Sequence, residues 1–533
     1  MQENYAHLIA TRKEKEIAEL EIREYLERTG HKGGLWFDRS ATPAEESAVQ
    51  EVFSHSLDLT NLGRVNPERD VCILLSVYDL DFVRLLYQYE IKDVLCLIEP
   101  GLWIGPEETD MARELEQKYL LENNYPSLKK LNRINMIFSY LLRETAMRAY
   151  PIQLQIETTS LCNAQCIMCG HYIYQNTIAK HMERTLLEEM NEPLKYAEQV
   201  ILHGNGEPFL QPEIEALLKK YQAYGIKVAT NTNLSVLPET ILQIIPDLFS
   251  IITVSIDGCT KEIYEGIRKG LSFEKLLGNL NRLKSAAPNL PKKLAMVIMR
   301  QNLHQVPEMV QFARSYGFST VNYIAMGSSP FAENQKDEVW NYPNVLRQQL
   351  KAAAEKAATL GMNCEMPLSA QELLSPLKSK AISAEWEAIQ KTPFFPDEKE
   401  QKKRFEMHVA PRLRELKANG IHENYSRYTT FPLQEEEIVP SAGKWHYSGC
   451  CDSILMRPFI NLDGRMFACC IHTKHYIGEM SDADSLRRIW NSEGFRALRS
   501  LFYQGKLPAY CEHCSFMDNQ FLALVRGKNE EDI

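Results

Sequence analysis

The chain has 533 residues, 44% hydrophobic and 24% charged, with a formal net charge of −10. Such a length exceeds what one hydrophobic core serves and suits several domains. The acidic balance argues against nucleic acid, which needs a basic footprint. No apolar run is long enough to span a bilayer, and the charged N-terminus lacks the apolar centre of a secretory signal. The chain thus reads as a soluble cytoplasmic protein with neither a membrane nor a nucleic-acid partner.

Residues 1–28 carry the pattern of a solvent-facing helix, interrupted by Gly30, Gly33 and Gly34. Two apolar runs follow, Val71–Leu75 and Asp93–Ile98, with a helical stretch from Asp79 to Tyr89 between them. This is a β-α-β unit and implies a parallel pair. No glycine-rich phosphate loop follows its first strand, so a structural or docking role is preferred to nucleotide binding. Met111–Glu122 and Pro126–Ala149 read as helices.

From Ile152 the chain alternates strand and helix. Strands are expected at Ile152–Ile156, Gln199–Leu202, Ile226–Thr230, Ile251–Ile256, Lys293–Met299 and Thr320–Ala325. Helices lie between them at Thr185–Ala197, Pro212–Tyr224, Glu239–Ile244, Phe273–Ala286 and Val306–Tyr316. Repeats of this kind build a parallel sheet covered by helices, here too short for a full eight-stranded barrel. The expected fold is therefore α/β, a partial (β/α)6 barrel. Sites in such folds gather at the carboxyl ends of the strands.

Directly after the first strand come Cys162, Cys166 and Cys169 in C-x3-C-x2-C spacing. Three thiolates in one loop can hold three corners of an iron–sulfur cube and leave one iron open. Thiolates also suit zinc, so a zinc knuckle is the rival reading. Other polar clusters fall at equivalent strand ends: His203-Gly204-Asn205-Gly206-Glu207-Pro208, Thr230-Asn231-Thr232-Asn233, Ser255-Ile256-Asp257-Gly258 with Arg268 beyond, and Arg300-Gln301-Asn302. Each alone could be a turn; together, beside a thiolate loop, they indicate a site.

Cysteines number 13, and nine fall in three groups: 162/166/169, 450/451/469/470 and 511/514. In a reducing compartment such grouping points to metal rather than disulfides. Cys72, Cys96, Cys259 and Cys364 stand apart as small buried hydrophobes. Gly327–Gly449 lies outside the repeat, with a helix at Val345–Leu360, a short strand at Met362–Met366 and charged, mainly helical sequence beyond. Pro458–Ala468 reads as a hairpin turning at Asp463-Gly464, and Ser485–Trp490 and Ser492–Phe502 as helices. Strand alternation argues against both members of Cys450/Cys451 or Cys469/Cys470 binding one metal.

The cysteine loop with Asn-Gly-Glu-Pro, Thr-Asn and Ser-Ile-Asp-Gly at these strand ends resembles the radical S-adenosylmethionine (SAM) enzymes over about Pro151–Ala325. The resemblance implies a [4Fe–4S] cluster on Cys162, Cys166 and Cys169, with SAM on its open iron and reductive cleavage to a 5′-deoxyadenosyl radical. It places Asn205, Gly206 and Glu207 at the SAM amino group, Asn231, Ser255 and Arg268 near ribose and carboxylate, and Met168 near adenine. Asn205 stands where the commoner motif has glycine. Residues from about Gly449 to Met517 resemble the SPASM or twitch auxiliary-cluster domains, implying a second [4Fe–4S] cluster on Cys451, Cys469, Cys511 and Cys514. The implied domains are 1–148, an α/β unit of unassigned role; 149–330, the radical SAM core; 331–446, a helical insertion; and 447–533, the auxiliary-cluster unit.

The implied function is hydrogen abstraction from a small-molecule or carbohydrate-like substrate, with an electron donor of flavodoxin or ferredoxin type as partner. The alternatives are a maturase of a ribosomally made peptide or protein, and a zinc-binding scaffold without redox activity. His171, Tyr172 and His203 are candidate bases but read first as packing residues.

Overall fold

The computed structural model describes residues 102–169, 180–326, 337–368, 376–391, 451–470 and 475–511, with shorter pieces elsewhere that include several N-terminal strands. The molecule is mixed α/β, with a large sheet that is mostly parallel.

An N-terminal sheet contains β1 (Tyr5–Ile9), β2 (Lys32–Phe37), β3 (Val71–Leu74), β4 (Val94–Glu99) and β5 (Leu102–Ile104), in the order β2-β1-β3-β4-β5. The first four are parallel and β5 is antiparallel. This corrects two expectations. Tyr5–Ile9 is a strand rather than helix, its short apolar run hidden beside a long charged one. Gly33 and Gly34 lie within β2 rather than breaking the chain. Helix Tyr125–Leu141 then leads towards the main sheet, its N-terminus capped by the Asn124 side chain, which accepts from the Ser127 amide at 3.2 Å.

All six expected strands form: β6 (Gln153–Ile156), β8 (Gln199–Leu202), β9 (Lys227–Thr232), β10 (Phe249–Ser255), β12 (Lys292–Ile298) and β13 (Thr320–Ala325). Between them lie two short paired pieces, β7 (Gln165–Cys166) and β11 (Arg268–Lys269). The strand from the insertion, β14 (Asn363–Glu365), continues the sheet in parallel beside β13, so it belongs with the repeat rather than outside it.

The sheet extends beyond β6 as well. The remaining strands are β15 (Thr429–Thr430), β16 (Ile438–Pro440), β17 (Phe459–Ile460), β18 (Arg465–Phe467), β19 (His475–Tyr476), β20 (Gly478–Glu479) and β21 (Lys506–Pro508). β17 pairs in parallel with β6, followed by β18 and β20, giving a ten-stranded open sheet β14-β13-β12-β10-β9-β8-β6-β17-β18-β20. The expected hairpin is β17–β18, with Gly464 at φ +79° in its turn.

The register sorts the side chains by face. Leu154, Val200, Val228, Val254, Leu294, Met296 and Val321 lie on one face and are buried under the helices. Asn231, Thr253, Ser255, Ala295, Val297 and Asn322 lie on the other and are only half-buried. Period-two alternation thus gives one apolar, filled face and one polar, half-open face. The helices bury their apolar stripes in the usual spacing: helix Phe273–Ala286 buries Leu276, Leu280 and Leu283 and is capped by Ser272.

The C-terminal unit docks on the chain just before β6. Arg499, fully buried, donates to the carbonyls of Thr145, Ile454 and Trp490 at 2.8–3.2 Å and stacks 4.2 Å from the Trp490 ring. Asn491 donates to the Met147 carbonyl and accepts from its amide. Among the described residues no helix is long and apolar enough to cross a membrane.

Candidate active site

The cysteine loop leaves the carboxyl end of β6. Its ends are clasped together: the Ser160 amide donates to the Lys180 carbonyl and the Lys180 amide to Ser160 Oγ, each at 3.0 Å. In its middle, β7 pairs antiparallel with β11, setting Cys166 opposite Arg268. The Ile167 amide donates to the Ile267 carbonyl and the Cys169 amide to the Cys166 carbonyl, both at 3.0 Å. Cys166 is buried and Cys162 and Cys169 half-buried, and the three thiols lie near enough to perturb one another electrostatically.

The neighbouring strand ends are fastened to this loop. Glu207 follows β8; its amide donates to the Leu161 carbonyl at 2.7 Å. Its carboxylate accepts from Thr232 Oγ1 at 2.6 Å and the Asn233 amide at 2.7 Å, both at the end of β9. Asn233 Nδ2 lies 3.1 Å from Asn163 Oδ1 and 3.9 Å from Cys162 Sγ. The Asn205 amide donates to the buried carboxylate of Glu157 at 2.7 Å. A Cβ at Gly206 would lie 2.4 Å from the Thr159 carbonyl oxygen, so only glycine fits there.

After β10, Asp257 is fully buried and accepts from the Val297 amide at 2.7 Å. Arg268 Nη2 lies 2.7 Å from Asp257 Oδ2, and Nη1 lies 3.8 Å from Cys166 Sγ. Arg268 Nε is buried without a hydrogen-bond partner among the described residues. A buried cationic donor with spare capacity, beside three soft thiols, fits an anionic iron–sulfur centre. Three cysteines on a cube bind three different irons, so the thiols need not converge on a point; among the described residues no three potential ligands do.

Burial governs the protonation of the site. It pushes the Cys162 thiol up to about 11 and Cys166 up to about 12, Arg268 partly offsetting the latter. Metal loading must therefore expel protons. Burial also pushes Glu207 up to about 7, against the hydrogen bonds from Thr232, Asn233 and the Phe209 backbone. A carboxyl raised above its unfolded value gives most stability below that value and loses it as pH rises through the folded one. In metal-free protein, Glu207→Gln is expected to remove a decline in stability of about 3 kcal/mol between roughly pH 4.5 and pH 7. Urea midpoints across that range measure it; an unchanged slope would contradict the assignment.

The structure brings together Cys162, Cys166, Cys169, Gly206, Glu207 and Arg268, with the Asn205 backbone at their edge. Asn231 and Ser255 lie further along, at the ends of β9 and β10 on the half-open face. Met168 packs with Ile167 on a patch of Ile263, Ile267, Met299 and Met326. Asn233 and Asp257 are site neighbours that the sequence reading quoted within its motifs but gave no role. Arg300 is buried and paired with Asp337 at 2.8 Å, so it is a clamp rather than part of an open rim. His203 is half-buried, and desolvation holds its pKa below the ordinary value. His171 and Tyr172 lie outside the described residues.

Of the auxiliary set, Cys451 is buried at the start of helix Asp452–Met456, Cys469 follows β18, and Cys511 ends a short turn from Ala509. Cys450 and Cys514 lie outside the described residues. Strand alternation does not separate Cys469 from Cys470, because both lie beyond the end of β18. Their thiols touch, which raises the Cys470 pKa, and the Gln155 side chain of β6 reaches Cys470.

Residues 156–313 match the model of the Radical SAM superfamily, and residues 451–515 match that of the SPASM iron–sulfur cluster-binding domain. The mycofactocin maturase MftC of Mycobacterium tuberculosis is 27% identical over 168 residues, 31% of this chain and 43% of that protein. The MftC of Mycobacterium ulcerans is 26% identical over 168 residues, 31% of this chain and 45% of that protein. The chain thus spans less than half the length of these relatives. Streptococcus suis SuiB, solved bound to S-adenosylmethionine, aligns over 74% of this chain and 79% of its own at 13% identity, with a TM-score of 0.43. The two domain matches coincide with the two cysteine sets, one on the loop after β6 and one in the C-terminal unit, so the chain carries a Radical SAM domain at residues 156–313 and a SPASM domain at residues 451–515.

Proposed function

We propose that this chain is a radical SAM maturase acting on a peptide or protein. Cys162, Cys166 and Cys169 hold the SAM-binding [4Fe–4S] cluster, and Cys451, Cys469, Cys511 and Cys514 hold an auxiliary one. When bound, cluster and SAM supply one-electron chemistry able to remove hydrogen from unactivated carbon. The protein's part is placement. Gly206 lets the backbone approach the cysteine loop, Glu207 ties β8 and β9 to it, and Arg268 sets a fixed positive charge beside Cys166. Asn205, Asn231, Ser255 and Met168 are proposed SAM contacts.

The observation that carries this reading is the convergence of loop, strand ends and buried Arg268. For the substrate, the support is a relative at 27% identity named a maturase. The peptide class is therefore better supported than the small-molecule class ranked first from sequence.

Anaerobic incubation with SAM and a strong reductant should yield 5′-deoxyadenosine. The yield should fall at least ~10²-fold when Cys162, Cys166 and Cys169 become Ala, one-electron chemistry being the cofactor's. It should persist in C511A/C514A, while product from a peptide encoded beside the gene is lost. Reconstituted protein should carry about eight irons, two four-iron clusters. Zinc without sulfide would restore the scaffold reading, and turnover of sugars alone the small-molecule one.

A further inference from the structure

Neither domain match covers residues 314–450. Part of that segment nonetheless reaches the cysteine loop. Glu385 of helix Ser379–Lys391 accepts from the amides of Asn344 and Val345 at 3.0 and 2.8 Å, capping helix Pro343–Leu360. The carboxyl end of helix Ser379–Lys391 then meets Arg300, just past β12. Arg300 is 2% exposed; it donates to Asp337 Oδ1 at 2.8 Å and the Ile389 carbonyl at 3.1 Å, and its guanidinium lies 5.5 Å from the Phe394 ring. Phe394 also stacks on His304 at 5.7 Å, and its carbonyl accepts from Gln301 Nε2 at 3.3 Å.

This clamp delivers the next residue, Phe395, onto helix Lys261–Ile267. Its ring occupies the space above Gly266, where a Cβ would lie 2.4 Å from Phe395 Cζ. There it packs on the patch of Ile263, Ile267, Met299 and Met326 that also receives Ile167 and Met168 of the cysteine loop. The same helix ends at Arg268, which faces Cys166.

We propose that Phe395 is a positioning residue for the cofactor site: it buttresses the apolar patch on which Ile167 and Met168 rest and so preorganises the cysteine loop. The proposal depends on the radical SAM reading. A loop crossed by a two-residue strand pair has little stiffness of its own. Each arrangement it loses before binding lowers the ordering entropy that binding must meet.

The test uses full-length protein reconstituted with iron and sulfide. Phe395→Ala is expected to weaken SAM affinity, read from the cluster's EPR spectrum against SAM concentration, by roughly tenfold, about 1.4 kcal/mol. Iron loss to a chelator without SAM should quicken by a similar factor. Phe395→Leu, which keeps an apolar side chain, should recover most of both. Gly266→Ala, which displaces the ring by collision, should reproduce the Phe395→Ala values and add nothing in the double variant. It also substitutes for Phe395→Ala should that protein fail to fold. Wild-type SAM affinity and iron loss in Phe395→Ala or Gly266→Ala would overturn the proposal. A wild-type protein that takes up no iron and sulfide would instead remove the radical SAM reading on which it stands.

Discussion

Replacing Arg268 by methionine is expected to destabilise the core by about 3–5 kcal/mol, the usual size when one partner of a buried ion pair is removed. Asp257 is the reason. It is wholly buried, and among the described residues its second oxygen faces only the guanidinium, 2.7 Å away. With Arg268 gone, burial disfavours the carboxylate without the opposing cation, and its pKa, already raised, must rise further. The double variant Arg268→Met/Asp257→Asn should recover part of the loss, because the stranded charge goes with its partner. Denaturation of the two metal-free proteins measures this; equal losses would show that the pair is not coupled. The same substitution removes a positive charge 3.8 Å from Cys166 Sγ. A cluster reduced there gains negative charge, so its reduction potential should fall.

Gly206→Ala should weaken cluster binding severalfold or more. The new methyl carbon would lie 2.4 Å from the Thr159 carbonyl oxygen, 2.6 Å from that of Leu161 and 2.8 Å from the Ser160 carbonyl carbon, all backbone atoms of the cysteine loop. No rotamer relieves such a clash; the loop itself must move, at a cost of about 1–3 kcal/mol. Iron per chain after reconstitution should drop severalfold, by the reasoning that ligand binding is coupled to the folded ligand geometry. Gly278→Ala is the control. Among the described residues nothing lies within 4 Å of a Cβ there, in the helix Phe273–Ala286. It should stabilise by about 0.5–1 kcal/mol and leave iron content unchanged. Normal iron in Gly206→Ala would show that the loop can yield at this point.

The positions of the loop and strand ends could be read from sequence because both rest on local patterns: apolar runs of strand length, and cysteines crowded into a few residues. What could not be read rests on pairings between distant segments. Arg268 joins the loop through a two-residue strand with no periodicity to detect. Arg300 resembled a rim residue because its partners, Asp337 and Ile389, come long after it. Tyr5–Ile9 was obscured by the charged stretch beside it, and Cys469 and Cys470 escape strand alternation because β18 has already ended. Asn233 and Asp257 sat inside the quoted motifs; what was missing was the direction of their side chains, which only the packed strands determine.

The pairing of β6 with β17 has a consequence for synthesis. Gln155 and Ile156 find their partners at Phe459 and Ile460, about 300 residues later. At roughly 5–20 residues per second, β6 emerges from the ribosome tens of seconds before its outer neighbour. During that interval it is the bare edge of a parallel sheet, with unpaired backbone groups of the kind that recruit foreign strands. The nascent chain is then most vulnerable to aggregation beside the cysteine loop, and truncation before Phe459 makes that vulnerability permanent.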